Sequence, residues 1–275
     1  LVGSEMCIRD RNCGYVTASW LGKCPECGTW NSLVEQVETL AKNTGYVNFM
    51  EGKVPRPISR VAATPVERLT TGINEFDRVL GGGIVPGSLV LLGGEPGIGK
   101  STLLLDTAMR FSQKGRKVLY VSGEESEEQT AMRAGRLGKC TDSLLIMTAS
   151  EVGGILLQAE REKPALLIVD SIQTMYSSQL ETAAGSVGQV RECTANLLRF
   201  AKTAGVAVMV IGHVTKDGNI AGPRLLEHMV DVVLQFEGDR SYSFRVLRAL
   251  KNRFGSTEEC GIFSICLLYT SDAAD

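Results

Sequence analysis

The sequence predicts an α/β fold: a mostly parallel, twisted sheet covered by helices, preceded by a small metal-binding module. Three observations predict it. Gly94-Glu95-Pro96-Gly97-Ile98-Gly99-Lys100-Ser101 fits G-x-x-x-x-G-K-[ST], set between an apolar run (88–92) and a helical run (102–109). Further apolar runs at 117–122, 164–170 and 206–212 read as buried strands, each ending in polar residues where a doubly wound sheet binds ligand. Near the start, Cys24-Pro25-Glu26-Cys27 forms a CxxC knuckle followed by Gly28.

The bulk properties bound the reading. A chain of 275 residues has room for one full α/β domain and a small module. The formal net charge of −2 gives no global nucleic-acid signature, so any DNA contact must come from a local basic surface. No apolar run approaches the roughly 20 residues that span a bilayer. The N-terminus lacks the apolar core of a signal peptide, which predicts a cytoplasmic protein without a membrane partner. Eight cysteines with one CxxC pair favour metal over a disulfide framework in that compartment.

Taken in order, Cys13 lies eleven residues before Cys24 and is likewise followed by glycine. Cys13, Cys24 and Cys27 are candidate zinc (Zn2+) ligands: thiolates on tight turns suit that ion. A fourth ligand belongs three residues before Cys13, where Asp10 stands; Cys7 is available at a poor spacing. A redox CxxC would need a thioredoxin-like setting that the sequence does not supply. Trp20 and Trp30 flank the second knuckle and are expected to pack a core too small to hold without metal. Residues 37–66, with Asn43-Thr44-Gly45, Gly52 and Pro55-Arg56-Pro57, read as a linker.

Residues 68–80 read as a turn and a short amphipathic helix, ended by Gly81-Gly82-Gly83. The phosphate loop then covers Gly94, Glu95, Pro96, Gly97, Ile98, Gly99, Lys100, Ser101 and Thr102, and predicts ATP binding. Lys100 reaches the β- and γ-phosphates, and the Ser101 hydroxyl is a ligand of the magnesium ion (Mg2+). Glu124 and Glu125 follow the strand 117–122; either can polarise an attacking water, and the sequence does not separate them. Both acids also suit the start of a helix, and Ser126 with Gln129 resembles a capping box. Asp170 closes the next strand and is the second candidate magnesium ligand, with Ser171 and Gln173 beside it.

Residues 175–188 read as a mobile loop before a helix over 189–204. His213 and Thr215 stand at the next strand tip, where they can sense the γ-phosphate. Residues 218–225 read as a second mobile loop, with Lys216 and Arg224 as positive charges beside it. Residues 231–236 and 242–250 read as antiparallel strands, the second placed at the edge of the sheet. It leads into Lys251 and Arg253, which project to one side.

These motifs together resemble the bacterial RadA (Sms) DNA repair family, relatives of RecA and of ring helicases. The resemblance spans roughly residues 12–263. It rests on the sequences at 13–15 and 20–28, on Asp77-Arg78-Val79-Leu80-Gly81-Gly82-Gly83, on 94–102, on Gly212-His213-Val214-Thr215-Lys216, and on Lys251-Asn252-Arg253-Phe254-Gly255. It implies a RecA-like P-loop ATPase core over 67–263 and a four-cysteine zinc finger over 12–36. It implies a homo-hexameric motor that binds single-stranded and branched DNA, works beside a recombinase filament and promotes branch migration. It also implies that Lys251 and Arg253 act on a neighbouring subunit's ATP. Residues 1–11 and 264–275 fit no pattern of the family and read as non-native ends, with a protease-like C-terminal domain missing. The competing classes are a switch ATPase that times a protein interaction, which the acid pair suits equally well, and a non-catalytic adaptor, against which the intact phosphate loop argues.

Overall fold

A computed structural model describes residues 7–10, 12–13, 16–17, 22–36, 57, 67–213, 226–238 and 244–264. The chain divides into two compact units, Leu1–Asn48 and Phe49–Asp275. Almost all of the expected linker, 37–66, lies outside the described residues, as do Trp20, Thr215, Lys216, Arg224 and the expected loop 218–225.

The first unit contains a three-stranded antiparallel sheet of β1 (Cys7–Asp10), β2 (Val16–Thr17) and β3 (Leu33–Gln36), in the order β2-β1-β3. The central strand therefore comes from within residues 1–11, the segment that the sequence reading sets apart. A turn carries Cys24 to Cys27, closed by the Gly28 amide donating to the Cys24 carbonyl at 2.9 Å.

The second unit begins with α1 (Asn74–Val79), then β4 (Leu89–Gly94), α2 (Lys100–Gln113), β5 (Val118–Ser122) and α3 (Glu127–Leu137). It continues through β6 (Leu144–Thr148), α4 (Val152–Glu162), β7 (Leu166–Asp170), α5 (Val187–Ala204) and β8 (Ala207–His213). The last strands are β9 (Val232–Glu237), β10 (Phe244–Asn252) and β11 (Cys260–Ser264). The sheet order is β11-β10-β9-β4-β8-β7-β5-β6. Strands β4 to β9 run parallel, and β10 and β11 add antiparallel edges. The sheet is thus α/β and mostly parallel, as the sequence predicts.

Both faces are covered, which is why β4, β5 and β7 are unbroken apolar runs. Alternate residues serve opposite faces. Val90 and Leu92 pack with α1 and α2, while Leu89 and Leu91 pack with α5. One strand position differs from expectation. The strand β10 is not at the sheet's edge, because Cys260–Ser264 pairs outside it. β6, with its side chains only half-buried, closes the other side.

One carboxylate ties the base of the sheet together. Asp231, 2% exposed, accepts from the Leu89 amide at 3.1 Å, Lys202 Nζ at 2.7 Å and Arg253 Nη1 at 3.1 Å. It joins the start of β4, the last turn of α5 and the end of β10. Asp231→Ala leaves the Leu89 amide buried without its acceptor and two cations without their anion, so a loss of about 2–3 kcal/mol is expected. For a domain of this size, that lowers the melting temperature by on the order of 5–10 °C. A thermal melt of the variant checks it; a shift near zero would mean that the carboxylate contributes no net stability.

Candidate nucleotide site

The phosphate loop leaves β4 at Gly94 and enters α2 at Lys100. Gly99 caps that helix in the left-handed region (φ 112°), a conformation that a residue with a Cβ rarely adopts. The cap turns the first amides of α2 toward the loop's concave side, where an anion is favoured. Lys100 is 3% exposed, and its Nζ donates to the carbonyls of Gly94 and Glu95, both at 2.8 Å. Burial pulls its pKa down to about 8, against the pull of Asp170 and Glu124, whose charges favour the cation.

Asp170 shares strand parity with Leu166 and Ile168, so its carboxylate lies on the α2 face beneath the loop. Tyr120 donates to Asp170 Oδ2 at 2.7 Å. Burial first, and the Asp170 charge second, hold the Tyr120 phenol well above its ordinary pKa, so it keeps the proton it donates. Ser101, half-buried at the first turn of α2, is the hydroxyl expected to face the same metal. The donor set, one carboxylate and one hydroxyl beside a phosphate-binding loop, fits magnesium, which keeps several waters and relies on substrate phosphates.

The two acids that the sequence leaves equivalent occupy different surroundings. Glu124 Oε1 accepts from Ser171 Oγ at 2.7 Å and lies 3.5 Å from His213 Nε2. Glu125 turns the other way: Arg133 Nη2 donates to its Oε2 at 2.5 Å and Thr130 Oγ1 at 3.4 Å. Just before them, Gly123 is held against the end of β7, its amide donating to the Asp170 carbonyl at 2.7 Å. A Cβ there would stand 2.1 Å from Thr174 Oγ1, so the chain passes only as glycine. The expected capping box is present: the Gln129 amide donates to Ser126 Oγ at 3.3 Å and the Ser126 amide to Gln129 Oε1 at 3.0 Å. Gln173 Nε2 donates to the His213 carbonyl at 3.2 Å, which joins the tips of β7 and β8.

Two groupings run against expectation. The segment 175–188 is not a free loop, because Gln189, 1% exposed, holds it. Its Nε2 donates to the carbonyls of Ser177, Leu180 and Thr182, and its Oε1 accepts from the Ser177 amide. A glutamine in the first turn of α5 gave only a polar residue on an amphipathic helix, so the sequence signal for this latch was weak. Trp30 does not pack a core: it is 69% exposed, with Lys23 Nζ 5.7 Å from the ring centroid.

Lys251 and Arg253 do not join the phosphate loop of their own chain. Lys251 Nζ donates to the carbonyls of Glu227 and Val230, at 2.5 and 2.9 Å. The Arg253 amide donates to the Asp231 carbonyl, and the Asp231 amide to that of Leu89. Arg253 is therefore level with the start of β4, about 17 Å along the strand from Gly94. These cations lie at the N-terminal end of the parallel strands, and the phosphate loop at the C-terminal end.

In the first unit, Cys13, Cys24 and Cys27 place their sulfurs within 4.8 Å of one another, Cys13 and Cys24 at 3.6 Å. A tetrahedral ion with bonds of about 2.3 Å separates its sulfur ligands by ~3.8 Å, so three thiolates fit a zinc site. Hydrogen bonds to Thr29 hold the Cys27 thiol below its ordinary pKa, which favours the thiolate that a metal needs. Asp10 and Cys7 lie on β1, and their side chains are outside the described residues.

Comparison with known proteins agrees with both units. A family model described as an AAA domain matches residues 55–219, more than half of the chain. The chain belongs to this AAA-domain family. A second model, described as a rubredoxin metal-binding domain, matches residues 11–35. The chain is 53% identical over 258 residues to the DNA repair protein RadA of Halalkalibacterium halodurans, covering 93% of this chain and 56% of that protein. It is 51% identical to RadA of Bacillus subtilis, over 93% of this chain and 57% of the relative, and 51% identical to RadA of Listeria monocytogenes, over 92% and 56%. The resemblance to RadA read from the motifs is shown along nearly the whole chain, which spans little more than half the length of these relatives. Among the described residues, no helix is long and apolar enough to cross a membrane.

The three-thiolate cluster generates a prediction. Asp10→Cys raises zinc content from substoichiometric to one ion per chain, because a fourth thiolate completes a closed structural site. Metal analysis by mass spectrometry on both proteins checks it. Equal, stoichiometric zinc in the two would show that the site is already complete.

Proposed function

We propose that this chain is the ATP-hydrolysing part of a DNA-dependent ATPase of recombinational repair, which binds single-stranded DNA and promotes branch migration. One observation carries the reading: Lys100, Asp170 and Glu124 gather at the strand tips around a complete phosphate loop. The similarity to RadA proteins supports the repair role and the DNA partner.

In this reading Lys100 exchanges the carbonyls of Gly94 and Glu95 for phosphate oxygens and stabilises charge that develops during transfer. Ser101 and Asp170 hold magnesium, which neutralises the phosphate oxygens when bound. Glu124 is the base that takes the proton of the attacking water. Ser171 and His213 hold its carboxylate at the tips of β5, β7 and β8 until nucleotide is in place. Glu125, committed to Arg133, orders the start of α3.

Lys100→Ala is expected to reduce ATP turnover on the order of a hundredfold or more with the fold retained, since each lost ~1.4 kcal/mol of transition-state stabilisation is tenfold. Glu124→Gln is expected to lose a similar factor and Glu125→Gln less than tenfold. Phosphate release, measured with and without single-stranded DNA, tests all three. Turnover that ignores DNA favours the switch class over the motor, and near-normal turnover in Glu124→Gln would remove it as the base.

Lys251 and Arg253 serve the ATP of an adjacent subunit in a ring, in the manner of arginine fingers, which contribute 10³–10⁵ in rate. Their place at the opposite end of the sheet supports this, as does the half-exposed Arg253 side chain, 51% accessible beside Asp231. Mixing Lys100→Ala with Arg253→Ala protein, each inactive alone, is expected to restore part of the turnover. Some interfaces then pair an intact Lys100 with an intact Arg253. No recovery, once mixed rings are shown to form, would count against action across the interface.

A further inference from the structure

Tyr120 is 1% exposed in the middle of β5. It stands opposite Ile168 of β7, and Ser122 stands opposite Asp170. Its ring lies on the α2 face among Leu166, Ile168 and Leu104. Its hydroxyl reaches toward the strand tips and donates to Asp170 Oδ2 at 2.7 Å. A phenylalanine would fill the same apolar space without taking a hydroxyl out of water, so packing alone gives the oxygen no purpose. The oxygen has one in the carboxylate it touches. Among the described residues, the Tyr120 hydroxyl is the donor to the Asp170 side chain.

We propose that Tyr120 is a positioning residue for the magnesium site: it holds one oxygen of Asp170 and so fixes the direction in which the carboxylate faces the ion. The proposal rests on the reading of Asp170 as a magnesium ligand. Carboxylates that ligate metals are themselves held by hydrogen bonds, and losing such a partner typically weakens metal affinity 10- to 100-fold. The neighbouring donors are directed elsewhere: Ser171 Oγ donates to Glu124, and Arg133 Nη2 to Glu125. Lys100 donates to the Gly94 and Glu95 carbonyls and has to leave them for phosphate when nucleotide binds.

The test uses the full chain and a fluorescent ADP analogue, titrated with magnesium chloride and, separately, in EDTA. Tyr120→Phe, Asp170→Asn and the double variant are compared with the parent. Tyr120→Phe is expected to raise the magnesium concentration for half-maximal binding by on the order of tenfold. Its affinity in EDTA should match the parent, a pattern that a general defect in the fold would not give. Asp170→Asn is expected to shift the magnesium midpoint at least as far, and the double variant no further than Asp170→Asn alone, because Tyr120 acts through that carboxylate. A parent-like magnesium midpoint in Tyr120→Phe, with Asp170→Asn shifted, overturns the positioning role and leaves Asp170 as the ligand. Equal weakening of Tyr120→Phe in EDTA and in magnesium also overturns it, by showing a defect in the fold. An unshifted Asp170→Asn overturns the ligand reading itself and the proposal with it.

Discussion

The nucleotide site depends on keeping one cation, Lys100, buried beneath the phosphate loop. An isolated ammonium in an apolar interior would shed its proton or unfold its surroundings. Lys100 keeps its charge near neutrality because two loop carbonyls take its hydrogen bonds and two carboxylates supply the field that burial removes. That arrangement fixes much else. The carbonyls of Gly94 and Glu95 must turn inward, α2 must begin under the loop, and Asp170 must project on the α2 side of β7. Strand parity meets the last requirement, since the residues at 166, 168 and 170 share a face.

The parallel sheet then gives the unit two poles with different chemistry. Acids and the phosphate loop collect at the C-terminal ends of the strands, where α/β folds bind ligands. Cations collect at the other end around Asp231. The antiparallel return of β10 is what carries Lys251 and Arg253 away from the phosphate loop of their own chain. A strand running parallel to β9 would have delivered its last residues to the same pole as Gly94.

Much of this was legible in the sequence, and the gaps have physical causes. Lys100 and Ser101 follow from a motif whose spacing is dictated by phosphate geometry, and Asp170 from an apolar run that ends in an acid. Glu124 and Glu125 are not separable in the sequence, because both precede a helix and their partners, Ser171 for Glu124 and Arg133 for Glu125, are brought to them only by the fold. Gln189 was invisible as a latch, since its four partners are backbone groups, and backbone groups carry no sequence signature. Trp30 was read as core because large aromatics are mostly buried; in a unit built on three short strands and a thiolate cluster it stays at the surface. The inner position of β10 is not legible because the strand that covers it, Cys260–Ser264, is a short stretch with only one buried residue, Gly261.

The helix α5 runs between the poles. Its first turn carries Gln189, which grips the segment over the strand tips, and its last turn carries Lys202, which grips Asp231 next to Arg253. At 1.5 Å per residue, its 18 residues form a strut about 27 Å long. Packed along its apolar face from Val190 to Ala201, the strut is a stiff spacer. The segment 175–188 and the Asp231 junction are thereby tied to one helix, at points about 20 Å apart along its axis.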